Sequence, residues 1–176
     1  MKMKVSWFHR FGEPEVLVCE ETRTPTPAIG EAIVRVRAVG INHVDLDIRA
    51  GTSRIPLTFP HILGREFAGE VAAIGNSTSP YKDGDRVWVT CRFPCGSCEF
   101  CLTGRDNLCS DRTMIGMTRP GGFAERMSIP ATSLIDIPQD MSARQAALTE
   151  PAATALHAID RATRALARPL PEARVL

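Results

Sequence analysis

The chain has 176 residues, with 21 Lys and Arg against 20 Asp and Glu, for a formal net charge of +1. Hydrophobic residues make up 44% and charged residues 23%, a globular composition that excludes a disordered chain. The near-zero balance excludes the basic bias of a nucleic-acid or membrane-surface protein, and no apolar run reaches the roughly 18 residues of a transmembrane helix. The N-terminal MKMKVSWFHRF carries charge and no apolar core, so a signal peptide is not expected and the predicted location is cytoplasmic.

Short strands separated by turn residues fill the first two-thirds of the chain. Residues 3–8, 15–20 and 31–39 read as strands, the last alternating as AIVRVRAV. Residues 22–30 (TRTPTPAIG) form a loop with two prolines and a glycine. Asn42 is placed as the N-cap of a helix over 43–50 that Gly51 stops, and 52–63 is irregular around Pro56 and Pro60. Strands follow at 67–74, at 86–90 after the Asp83-Gly84 turn, and at 123–129 after Gly121-Gly122. From Ser142 the pattern turns helical. Ser142 and Gln145 make a capping-box start, and an Ala-rich stretch runs to about Ala167, interrupted by Pro151 and closed by Pro169 and Pro171. Residues 173–176 (ARVL) read as the start of a buried parallel strand. The fold class is mainly β with α, a barrel-like domain finished by a helix.

Five of the six cysteines fall between Cys91 and Cys109. In a reducing compartment such clustering points to metal ligation over disulfides. Cys95, Cys98, Cys101 and Cys109 give C-x2-C-x2-C-x7-C, a spacing that closes a tetrahedral thiolate shell around one structural zinc and leaves no open position for substrate. An iron–sulfur run is the rival, but its fourth cysteine lies closer and is followed by proline. Cys19 and Cys91 read as buried thiols.

The lobe CGSCEFCLTGRDNLC, preceded by DGDRVWV, resembles the structural-zinc lobe of the medium-chain dehydrogenase/reductase superfamily, the zinc-type alcohol dehydrogenases. Three further stretches match in order: GINHVD (40–45), PHILGREFAGEVAAIG (60–75) and TEPAATALHA (149–158). The resemblance implies a GroES-like distorted β-barrel over residues 1–158 with its zinc lobe at 91–110, residues 159–176 ending a helix and beginning a nucleotide-binding domain. No G-x-G-x-x-G occurs, so the Rossmann domain that would bind NAD(P)H is expected to be absent from this chain.

The family holds a catalytic zinc with the Cys of its first motif, the His of its G-H-E and a later Cys, Asp or Glu. Here those places carry Asn42 and Arg65, with Glu66 and Glu150 at acidic positions some relatives use. A carboxamide is a poor zinc ligand and a guanidinium cannot ligate. The residue at the proton-relay hydroxyl is Val44. The cleft is therefore expected to lack catalytic zinc, as in the quinone oxidoreductase and acryloyl-CoA-reductase-like branch, which reduces activated C=C bonds with a nicotinamide hydride. A polarised enone or carbonyl needs hydrogen-bond donors at its oxygen more than a Lewis acid.

Candidate catalytic residues are Asn42, Arg65, Glu66 and Glu150. Arg65 stands for the metal's charge, paired with Glu66 or Glu150, or merely holds the cleft's shape with that ion pair. His43 matches a position that meets the cofactor pyrophosphate in relatives, or is a surface histidine. Asp45 reads as structural, His157 as packed into the core, and Gly64, Gly69 and Gly75 as backbone geometry. The alternatives are a zinc-stabilised binding module without catalysis, and a zinc-dependent alcohol dehydrogenase ligating through Glu66, Glu150 and His43. The expected partner is a small-molecule substrate, with self-association through an apolar face around the C-terminal helix.

Overall fold

The period-two pattern of the sequence dictates a mainly antiparallel β structure. The computed structural model describes residues 1–75 and 79–166. In chain order its elements are β1 (Lys2–Phe8), β2 (Val18–Arg23), β3 (Glu31–Val39), α1 (His43–Ala50), β4 (His61–Ile62), β5 (Phe67–Ile74) and β6 (Arg86–Val89). There follow β7 (Arg92–Phe93), α2 (Glu99–Leu102), β8 (Thr113–Met114), β9 (Arg126–Pro130), β10 (Leu134–Asp136), α3 (Ala143–Ala146) and α4 (Thr149–Ala165). A three-stranded sheet runs β2-β1-β4, a five-stranded sheet β10-β6-β5-β3-β9, and β7 pairs with β8 alone. The two larger sheets meet at a bridge between Val5 and Ala124, where Ser6 N donates to Phe123 O at 2.7 Å. They do not close into a full barrel.

Apolar residues facing inward from both sheets, among them Val5, Val34, Phe67, Val71, Val87, Val89 and Ile129, form the main core. A second cluster of Phe8, Ile48, Leu63 and Met117 clamps α1 against the loop before β5. A third, of Ala68, Ile137, Ala146 and Ala147, seats α3 on β5. Small side chains at that last contact bring helix and sheet close together.

The strands expected at 31–39 and 67–74 and the helix at 43–50 form with those bounds. The strand expected at 15–20 starts later. Pro14–Val16 makes a 3-10 turn in which Val16 N bonds Glu13 O at 3.1 Å, removing these residues from the ladder. In the strand expected at 123–129 the ladder with β3 begins only at Arg126, because Phe123 N goes to Leu63 O while Phe123 O accepts from Ser6 N and Glu125 N donates to Lys4 O of β1. In the helical segment the Ser142–Gln145 capping box is present. The break falls at Ala147 and Leu148, so Pro151 sits in the first turn of α4, where its missing N–H costs no bond. Residues 167–176, with Ala167, Pro169, Pro171 and the strand expected at 173–176, lie outside the described residues. Among the described residues no helix is long and apolar enough to cross a membrane.

Candidate functional site

The crossing of two loops fixes the candidate cleft. Gly64 has φ of +91°, a conformation that disfavours any side chain, and an added Cβ would meet the Phe123 ring at 2.6 Å. Its N–H donates to the buried Asp45 carboxylate at 3.0 Å, and its carbonyl accepts from Gly122 N at 2.7 Å. Asp45 also accepts from Asn42 N at 2.8 Å, so one carboxylate caps α1 and ties it to the loop that carries Arg65. The expected structural role of Asp45 has this geometry.

From that anchored backbone the Arg65 side chain runs into a half-buried position. Its Nη2 donates to Cys91 Sγ at 3.3 Å and lies 3.5 Å from Glu150 Oε1, while its buried Nε has no partner. Burial alone would disfavour the cation, but the Cys91 thiol and the Glu150 and Asp45 carboxylates outweigh it and raise the pKa above the usual arginine value. Arg65 is a fixed positive charge.

Glu66 is buried at 4% exposure directly before β5. Burial pushes its carboxyl up, Asn42 opposes this, the Glu150 and Asp45 charges add to it, and Arg65 offsets part. Asn42 Nδ2 and Glu66 Oε2 are both buried without a partner at full hydrogen-bond geometry. An added Cβ at Gly40 would lie 1.9 Å from Glu66 Oε1, so only glycine leaves room for this carboxyl. The structure thus draws together Asn42 from the start of α1, Arg65 and Glu66 from the β4–β5 connection, Cys91 from beyond β6 and Glu150 from the first turn of α4.

His43 does not join them. Its side chain is 86% exposed and lies 3.7 Å from Asp47. His157, expected in the core, is exposed, because α4 buries none of its residues. Cys19, expected to be buried, is exposed on β2, an edge strand. His61 is buried with Nε2 3.1 Å from Gly116 O, and burial lowers its pKa.

The second site is the loop between β7 and β8. The Sγ atoms of Cys95, Cys98, Cys101 and Cys109 all lie within 4.8 Å of one another, with Cys98–Cys101 at 3.4 Å and Cys95–Cys101 at 3.9 Å. A tetrahedral zinc with bonds of about 2.3 Å places its sulfurs roughly 3.8 Å apart, so the donor set fits that ion. Backbone N–H groups of Ser97 and Cys98 and the Ser97 hydroxyl hold the Cys95 thiol down at about 6, whereas desolvation and the Cys98 thiol push Cys101 up to about 12. Among the described residues this is the only gathering of three or more His, Cys, Asp or Glu ligand atoms.

A family model described as the alcohol dehydrogenase GroES-like domain matches residues 28–139. The chain belongs to this family. It is 33% identical over 151 residues to the L-galactonate-5-dehydrogenase of Escherichia coli, covering 85% of this chain and 44% of that protein. It is 41% identical over 136 residues to the D-altritol 5-dehydrogenase of Agrobacterium fabrum, covering 76% and 39%. Among solved structures, an NAD-dependent alcohol dehydrogenase superposes with a TM-score of 0.79 at 35% identity, covering 82% of this chain and 42% of that one. A cobalt- and zinc-bound thermostable alcohol dehydrogenase from Pyrobaculum aerophilum gives 0.77 at 34%, covering 85% and 45%. The chain spans less than half the length of these relatives.

Within this GroES-like domain, one member of the cluster escaped the sequence reading. Sequence pattern alone makes Cys91 an ordinary buried thiol, yet it is the Arg65 partner. The signal that could have found it is the alternation Val87, Val89, Cys91, all buried, which carries the inward face of β6 one step past the strand.

Proposed function

We propose that this GroES-like domain is the substrate-binding part of an NAD(P)H-dependent oxidoreductase, with one structural zinc in the Cys95–Cys98–Cys101–Cys109 shell and a cleft that works without catalytic zinc. The observation that carries this reading is the Arg65 guanidinium, held between Cys91 and Glu150 at the place where the family's metal ligand stands. A permanent cation there repels a divalent metal and offers N–H donors to an oxygen. Names among the relatives support the reaction class, as dehydrogenases of sugar acids, polyols, threonine and alcohols. The chain contains no glycine-rich phosphate loop, so the main dinucleotide site is proposed to lie in sequence beyond these 176 residues, with domain boundaries at 1–158 and 159–176.

When bound, the nicotinamide supplies the hydride. The chain's own residues do the rest. Arg65 orients and polarises a carbonyl oxygen, and Asn42 acts on the Glu66 carboxyl beside it as a positioning residue. Glu66, whose carboxyl pKa is raised by burial and by the Glu150 and Asp45 charges against the opposing Asn42, is the candidate proton-handling group of the cleft. Glu150 fixes the guanidinium. This arrangement suits an activated C=C or a carbonyl and supports catalysis over a bare binding module, which has no use for two carboxylates gathered on a cleft arginine.

Zinc per chain, measured by elemental mass spectrometry on protein purified without chelator or an affinity metal, tests the reading. One zinc, lost on Cys98→Ser or Cys109→Ser and unchanged in Arg65→Gln, is expected. Two zincs per chain would overturn the metal-free cleft and return the protein to zinc-dependent alcohol dehydrogenase chemistry.

A further inference from the structure

A cavity lies away from the cleft, at the seam where the sheets part. Beyond the Val5–Ala124 bridge, β1 carries no ladder with β9, which is the free edge of the five-stranded sheet. The opening encloses a cavity of about 240 Å³. Its apolar wall comes from Met3, Ile62, Phe93, Ile115, Met127 and Ile129, all members of the main core. Arg23, Arg119 and Arg126 also line it. None of Asn42, Arg65, Glu66, Cys91 or Glu150 does.

The charges around it are unbalanced. Among the described residues Glu31 is the one carboxylate bonded to the lining. It accepts from Arg119 at 3.2 Å and from Ser128 Oγ at 2.7 Å, and these hydrogen bonds hold it charged despite partial burial. Arg119 also lies over the Phe93 ring at 5.2 Å, which places its guanidinium on the cavity wall with donors to spare. Neither Arg23 nor Arg126 has a carboxylate partner among the described residues. Across the ladder Arg126 faces another arginine, Arg35, whose own partner is Glu70.

We propose that this cavity binds a small apolar monocarboxylate. The core residues take a ring or short branched chain, and the arginines take the carboxylate. The volume, below the roughly 300–1,000 Å³ of drug-sized sites, excludes a long acyl chain or a nucleotide. An apolar pocket bordered by a few charged groups fixes both the body and the orientation of such a ligand. The site is independent of the reaction proposed for the cleft.

Titration calorimetry of the purified chain with phenylacetate, and with neutral phenylacetamide as control, tests this. One saturable site for phenylacetate is expected, with phenylacetamide at least about tenfold weaker, the ratio of a charge-assisted to a neutral hydrogen bond. Arg126→Gln and Arg23→Gln are expected to weaken phenylacetate and leave phenylacetamide unchanged. These side chains are surface-reaching, so thermal midpoint and zinc content report an intact fold. Met127→Trp fills the cavity and abolishes binding of both probes. No heat with phenylacetate, equal affinity for the amide, or loss of binding in Arg65→Gln, which would put the probe in the cleft, each overturns the proposal.

Discussion

Gly40 and Glu66 determine each other's position. The glycine leaves the only room for Glu66 Oε1, and Gly40 N donates to Glu66 O at 2.9 Å, so side chain and backbone are fixed together. Gly40→Ala must push the carboxyl or the strand aside. A loss of roughly 1–3 kcal/mol in unfolding free energy by urea denaturation is expected, the range for overpacking a filled interior. Two shifted groups also give opposite pH slopes. The folded-state pKa of Glu66 is raised above 4.5, so between 4.5 and that higher value the folded chain binds more protons than the unfolded one and stability falls as pH rises. The folded-state pKa of His61 is lowered below 6.5, so its contribution is complete above 6.5 and is lost as pH falls from there toward that lower value. Thermal midpoints against pH are expected to lose the first slope in Glu66→Gln and the second in His61→Gln. At this scale Asn42, Arg65, Glu66 and Glu150 were legible because each sits in a recognisable stretch. Cys91 was not, because a single thiol beside a cysteine-rich lobe is read with its neighbours, and its partner is 26 residues away. The exposed position of His43 fits both a surface histidine and one that meets a cofactor pyrophosphate.

The lobe between β7 and β8 is the element least supported by packing. Neither α2 nor the 3-10 turn Asp106–Leu108 buries a residue, and of the four cysteines only Cys109 is buried. On the zinc assignment proposed above, its order comes from metal bonds, the usual condition of a small structural zinc site. Chelation is expected to open cleavage by trypsin at Arg105 while the sheets keep their amide protection, read by mass spectrometry of the fragments and hydrogen exchange. Protection of Arg105 after complete zinc removal would contradict this. The long strands and α1 were legible in the sequence because their patterns run for several periods. β7, β8 and β4 have two residues each and β10 three, too few for alternation to register. These strands exist because the elements around them place their backbones within reach.

For the whole molecule, the face presented by α4 is the dominant exposed apolar feature. Leu148, Leu156, Ile159 and Leu166 are 57%, 67%, 50% and 39% exposed and, at about 100° per residue, fall within one arc of roughly 80°. Such a stripe is expected to pack against another folded body, either a second copy or the remainder of a longer protein. For the chain alone, light scattering is expected to show mass rising with concentration, and Ile159→Lys to suppress the rise. A constant monomer mass at high concentration would contradict it. The general architecture was readable from composition and patterning, whereas the open seam between the sheets was not. It depends on where two strands stop pairing, which no local pattern encodes.

The loop crossing beneath Arg65 separates what the cleft is made of from what it is mounted on. What anchors the backbone that carries residue 65 is main chain or the Asp45 carboxylate: Gly64 N to Asp45, Gly64 O to Gly122 N and Leu63 O to Phe123 N at 2.9 Å. None of these contacts involves the side chain at position 65. The backbone mounting is therefore expected to persist when the side chain at position 65 is replaced, with Cys91 and Glu150 losing their partner.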